Sequence, residues 1–263
     1  MELQCQVNAI NDLKLLSESD SHNIIIEGQS GCGKTYLSKE YLRFINAEGY
    51  INVDSNVKSI RNSIDELYGT TSKFVFCVEN LDSGVDAVSY AMLKFLEEPY
   101  DNIYIIITCR NLYDVPDTIR SRCKIVNVNN PTEYDLQLFS NKFYVEKYEK
   151  YKKYNVYESI RSFKDLSYYF SLSDDDILYI VNLFKNNKFK GAVSDIVWKI
   201  RNFPDKRQID LQFVLRYLLY LNINNQSRIY ISNCLDDLYK SRMSERAILS
   251  KLILNMKYGD LNE

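Results

Sequence analysis

Two short stretches hold residues whose types and spacing can do chemistry. Gly28-Gln29-Ser30-Gly31-Cys32-Gly33-Lys34-Thr35 satisfies every fixed position of the pattern G-x-x-x-x-G-K-[ST]. The glycines let the backbone curl until its N–H groups point inward at phosphate oxygens. The loop opens a helix, and a helix N-terminus attracts anions. In such a loop the lysine, here Lys34, reaches the β- and γ-phosphates, and the hydroxyl of Thr35 binds Mg²⁺. The second stretch is Glu79-Asn80-Leu81-Asp82, directly after the apolar run Phe74-Val75-Phe76-Cys77-Val78. A phosphate-loop ATPase needs a second acid for Mg²⁺ at the end of a neighbouring buried strand. Glu79 is expected to take that position, one methylene longer than the usual Asp. Asn80 then stands where a general base, normally Glu, would polarise the attacking water. An amide cannot accept that proton, and losing a general base costs about 10²–10⁴-fold in rate. The expectation is a site that binds ATP with Mg²⁺ and hydrolyses it slowly. Two other readings stay open: a shifted register with Asp82 as the acid, and surface acids with no role.

These residues need a scaffold, and the first half of the chain supplies one. Asn23–Glu27, Tyr50–Val53, Phe74–Val78, Ile103–Thr108 and Lys124–Val128 are of strand length, rich in Ile, Val and Phe, and lack strict alternation. Strands buried on both faces of a parallel sheet read this way. Helical patterns separate them. Leu37, Tyr41, Phe44 and Ile45 form one apolar stripe after the loop, and Val88, Met92, Phe95 and Leu96 form another. Ser83 or Asp86 could cap the second helix, and Pro99 stops it. Alternating strands and helices predict an α/β domain. After about Val128 the strand signal fades and the chain reads as helices. Thr132 and Glu133 open one, Asp174–Asp176 suit a helix start, and Ile248, Leu252, Ile253 and Met256 form a last stripe. The expected organisation is a nucleotide-binding domain over 1–128, a helical lid over 129–203 and a helical, collar-like oligomerisation region over 204–263.

Bulk properties exclude other classes. With 263 residues, 46% of them apolar, the chain can bury a core. Its net charge of −2 is not that of a protein that wraps nucleic acid alone, so any DNA contact would be a local patch or shared with partners. The six cysteines (Cys5, Cys32, Cys77, Cys109, Cys123 and Cys234) form no C-x-x-C pair and have no metal-ligand spacing to the lone His22. They read as reduced thiols of a cytoplasmic protein. No apolar run approaches the ~20 residues that span a bilayer.

From Glu79 onward the sequence resembles clamp-loader subunits of the AAA+ class, especially the delta-prime and gamma subunits of bacterial DNA polymerase III. Met92-Leu93-Lys94-Phe95-Leu96-Glu97-Glu98-Pro99 is similar to their "LLKTLEEP" helix end. Pro116-Asp117-Thr118-Ile119-Arg120-Ser121-Arg122-Cys123 resembles their "TIRSRC" ending. Cys234–Met256 looks like the last helix of their collar. The resemblance implies a P-loop AAA+ sheet domain with a helical lid and short collar. It implies partners: other clamp-loader subunits in a hetero-oligomer, a sliding clamp and, through the complex, primer–template DNA. It makes Arg122 an arginine finger acting in trans on a neighbour's nucleotide, a role worth about 10³–10⁵ in GTPase systems. Several positions depart from the family. Arg110 falls at the first sensor, Ser194 replaces the second-sensor arginine, and the four-cysteine zinc module is absent. Together these imply a reduced, delta-prime-like subunit with weak catalysis of its own. A non-hydrolysing structural subunit of the same assembly, or a stand-alone AAA+ ATPase of another DNA-related pathway, remains an alternative. The Lys- and Tyr-rich stretch from Lys142 could contact DNA, though an exposed helix whose Lys stems cover Tyr rings is the commoner outcome.

Overall fold

A computed structural model describes residues 3–19, 21–81, 86–144, 160–173, 210–220, 225–240 and 244–258. Contacts divide the chain into two compact units: Met1–Leu138 with Ser162–Lys164, and Phe139–Arg161 with Asp165–Glu263. In the first unit five strands run β1 (Asn23–Glu27), β2 (Gly49–Asp54), β3 (Phe74–Glu79), β4 (Ile103–Cys109) and β5 (Lys124–Asn127). All pair in parallel, in the order β2-β3-β4-β1-β5. Each expected strand is present within a residue or two.

The helices of this unit are α1 (Gln4–Glu18), α2 (Lys34–Phe44), α3 (Val57–Leu67), α4 (Asp86–Glu97), α5 (Asp117–Arg120) and the start of α6 (Glu133–Phe143). They cover both faces of the sheet, which explains the unbroken apolar runs. Along β4, Ile103, Ile105, Ile107 and Cys109 face one layer, with Ile60 and Leu67 of α3 and Val88, Met92, Phe95 and Leu96 of α4. Tyr104 and Ile106 face the other, with Ala9 and Leu13 of α1 and Leu37 and Tyr41 of α2. Each large side chain so buried contributes about 1.5–3 kcal/mol relative to exposure. The two expected helical stripes are therefore the core-facing sides of α2 and α4. His22 stacks on Tyr104, with centroids 4.6 Å apart, and its Nδ1 lies 2.9 Å from the Ile103 carbonyl.

Helix α6 opens with a reciprocal cap. The Asp135 amide donates to Thr132 Oγ1 at 3.2 Å, and Asp135 Oδ2 accepts from the Thr132 amide at 3.0 Å. Asp135 is fully buried beside the start of α1. Burial works against its ionised form. The Thr132 hydroxyl and amide and the amides of Gln4 and Cys5 outweigh that cost, holding the carboxyl below its ordinary range.

The second unit contains α7 from Asp165 on (the helix spans Phe163–Ser171), α8 (Leu211–Tyr220), α9 (Asn225–Lys240) and α10 (Glu245–Tyr258). A buried Arg216–Asp165 ion pair of 2.5 Å joins α8 to α7. Helix α9 packs on both α8 and α10. The stretch Cys234–Met256, expected as one helix, is divided between α9 and α10. Its apolar residues are nonetheless core: Cys234, Ile248, Leu252, Ile253 and Met256 are all buried. Among the described residues no helix is long and apolar enough to cross a membrane. Asp82, Ser83, Asp174–Asp176, Ser194 and most of the Lys/Tyr-rich stretch lie outside the described residues.

Candidate nucleotide site

The phosphate loop begins where β1 ends, between strands on either side. The Gly28 amide donates to the Cys109 carbonyl at 3.1 Å, and the Val128 amide donates to the Glu27 carbonyl at 2.8 Å. Glu27 also accepts from the Leu112 amide at 2.8 Å, fixing the chain that leaves β4. The loop thus leaves the carboxyl edge of the sheet, where open α/β sheets bind ligands. Gly31 and Gly33 have φ of +79° and +103°, conformations that favour glycine. A Cβ at Gly28 would stand 2.7 Å from Cys32 Sγ and 2.9 Å from the Val128 carbonyl oxygen. The three fixed or adjacent glycines are therefore sterically required, and Gln29, Ser30 and Cys32 complete the turn.

Lys34 is the first residue of α2 and only 8% exposed. Its Nζ donates to the Gly28 carbonyl at 2.6 Å and the Gln29 carbonyl at 3.1 Å, so the ammonium is stowed inside the loop it serves. Thr35 Oγ1 donates to Glu79 Oε1 at 2.8 Å. This contact reaches across β4, from the loop after β1 to the end of β3. It brings together the two residues expected to hold Mg²⁺. These residues, Lys34 and Asn80 line one pocket of about 430 Å³ with Ser30, Gly31, Gly33, Thr108 and Lys164. Two oxygen ligands beside a phosphate cradle fit Mg²⁺, which keeps waters and substrate oxygens in its shell.

Asn80 has φ of +54°. Asn tolerates the left-handed region better than most residues, so a backbone requirement as well as chemistry governs this position. Its amide donates to Thr108 Oγ1 at 3.1 Å and its carbonyl accepts from Ser55 Oγ at 3.2 Å.

Several contributors to this site were not anticipated. Thr108, rather than the expected sensor Arg110, is the β4 residue lining the pocket. Its signal was a lone hydroxyl ending the run Ile105-Ile106-Ile107. Gln6 of α1, 2% exposed, donates through Nε2 to the Cys32 carbonyl at 3.0 Å and braces the loop from behind. Ser162–Lys164 lie against Gly31. The Cys32 thiol is buried and held above its ordinary value by that burial, so it is an inert part of the loop.

Arg122 stands apart from this pocket. It follows α5, and its Nη2 donates to Glu97 Oε1 at 2.5 Å at the end of α4. Nη1 donates to the Thr118 carbonyl at 2.7 Å. The two family-like segments, "LEEP" and "SRC", are thus joined by a half-exposed ion pair.

Parts of the chain are similar to known proteins. Residues 39–132 match the family described as DNA polymerase III, delta subunit. The DNA polymerase III subunit gamma of Buchnera aphidicola is 29% identical over 146 residues, covering 44% of this chain and 40% of that protein. The sliding-clamp-loader large subunit of Escherichia phage RB69 is 30% identical over 129 residues, covering 46% and 40%. This part of the chain is similar to clamp-loader subunits. The chain spans about two-fifths of the length of these clamp-loader relatives. A crystal structure of a DNA polymerase III gamma-subunit-related protein from Thermotoga maritima shares the fold, with a TM-score of 0.53 and 15% identity over 95% of this chain and 98% of that one.

Proposed function

We propose that this chain binds ATP with Mg²⁺ at the phosphate loop and serves in DNA replication as a subunit of a sliding-clamp loader. The nucleotide reading rests above all on the Thr35–Glu79 hydrogen bond beside the glycine-shaped loop. In it Lys34 and the loop amides take the phosphates, while Thr35 and Glu79 hold the metal. Bound there, ATP supplies a polyphosphate whose presence or cleavage can reset contacts between subunits. Asn80, in the base's place, offers no proton acceptor, so turnover at this site is slow. That same residue favours a second reading, a structural subunit whose nucleotide is only an assembly element.

The assembly reading is supported by the names and sequences of the relatives. Arg122 is the group this chain would offer to a neighbour. A half-exposed ion pair is worth only about 0–1 kcal/mol, so Glu97 holds the guanidinium ready without competing seriously with a triphosphate. The partners are other clamp-loader subunits, a sliding clamp and, through the complex, primer–template DNA, in the cytoplasm. Residues 129–203 would form the lid and 204–263 the collar-like contacts. Purification of the tagged chain from its native cell, followed by mass spectrometry, tests this. A second AAA+ subunit, a clamp or a polymerase should come with it. A chain recovered alone or only with copies of itself would overturn the clamp-loader reading.

A further inference from the structure

Lys164 is more than 120 residues beyond the phosphate loop in sequence, yet it lines the same pocket. We propose that it is a second cation for the nucleotide's polyphosphate, held at the loop by a short docked segment. The proposal rests on the reading of the loop as a nucleotide site.

The docking is specific. The Phe163 amide donates to the Gly31 carbonyl at 3.1 Å. Ser162 and Phe163 are buried. A Cβ on Gly31 would stand 2.7 Å from both Lys164 Cβ and Ser162 Oγ, so the loop glycine is also what admits this segment. The Lys164 backbone is thereby fixed against the loop while its side chain borders the pocket. Asp165, the next residue, is itself anchored. Asp165 accepts from Arg216 at 2.5 Å and from the Arg161 amide at 3.0 Å.

The charge balance of the pocket points the same way. Its lining carries two ammonium groups, Lys34 and Lys164, against one carboxylate, Glu79, which accepts from Thr35. The chain as a whole is acidic, so this is a local concentration of positive charge. Lys34 is bonded to the loop's own carbonyls, whereas Lys164 lies with its Cβ against Gly31. A polyphosphate in the loop would then have cations from two separate segments of the chain within the same pocket.

Fluorescent-nucleotide titration of the full chain tests this, using ATP·Mg²⁺ and ADP·Mg²⁺ with the wild type, Lys164→Gln, Lys164→Arg and Lys34→Ala. Lys164→Gln should weaken both nucleotides about tenfold, the loss of one charge-assisted hydrogen bond. It should also flatten the dependence of affinity on salt, because a point charge has been removed. Lys164→Arg should stay close to wild type. Lys164→Ala provides the same readout if Lys164→Gln folds poorly. Binding by Lys164→Gln within about twofold of wild type, at an unchanged salt dependence, would overturn the proposal while leaving the nucleotide site intact. Equal failure of wild type and Lys34→Ala to bind would remove both readings together.

Discussion

Replacing Gly33 with Ala tests whether the loop is shaped by the two constraints the structure shows. The first is the backbone: φ of +103° is strained for any L side chain, at a cost of about 1–3 kcal/mol. The second is Gln6. A Cβ on Gly33 would collide with Gln6 Nε2, the far end of a flexible side chain. The amide can retreat, but only by giving up its hydrogen bond to the Cys32 carbonyl, a net loss of about 0.5–1.5 kcal/mol. Gly33→Ala should therefore destabilise the protein by about 2–4 kcal/mol in urea unfolding. In a Gln6→Ala background that hydrogen bond is already gone, so the same substitution should cost only the backbone part. The double-mutant cycle should show a coupling of about 1 kcal/mol. Additivity within about 0.3–0.5 kcal/mol would mean that Gln6 does not brace the loop, and would refute the reasoning.

Two further outcomes follow from the site and its supports. Asp135 has its folded pKa lowered, so its stabilisation is present above the unfolded value near ~3.9 and is lost as pH falls through the folded one. Asp135→Asn should thus be less stable than wild type by about 0.5–2 kcal/mol near neutrality, with the gap in unfolding free energy closing below about pH 4; a pH-independent gap contradicts this. Asn80→Glu should raise ATP turnover in the assembled complex, measured as phosphate release, if the missing base limits the rate. Glu at φ of +54° carries strain, so a variant with lowered stability and unchanged turnover would show that backbone shape, not proton transfer, fixes this residue.

The sheet was legible because strands buried on both faces must be apolar throughout, and Ile103–Cys109 is buried along its whole length. The loop was legible because its chemistry is local: eight consecutive residues carry both the conformation and the charges. Helix α1 was not. Its buried face is Cys5, Gln6, Ala9 and Leu13, and a buried glutamine that serves the loop spoils the apolar stripe by which helices are recognised. Helix α3 did carry a readable stripe, Val57, Ile60, Ile64 and Leu67 against the core, and an Asn56 cap that accepts from the Ser59 amide at 2.8 Å. Thr108 was hidden by its position within an apolar strand. Ser162–Lys164 were out of reach for a different reason: nothing local tells a three-residue segment that it will dock on a loop far back in the chain. Likewise the apolar positions of Cys234–Met256 marked the core correctly but not the break between α9 and α10.

The central claim is that the pocket around Lys34, Thr35 and Glu79 is a nucleotide–metal site. Isothermal titration of ATP into the purified chain, with and without Mg²⁺, tests it most directly. The account predicts saturable one-site binding that strengthens with Mg²⁺, is lost in Lys34→Ala, and loses its Mg²⁺ dependence in Thr35→Ala. Binding that persists in Lys34→Ala, or no binding by the wild type, would contradict it.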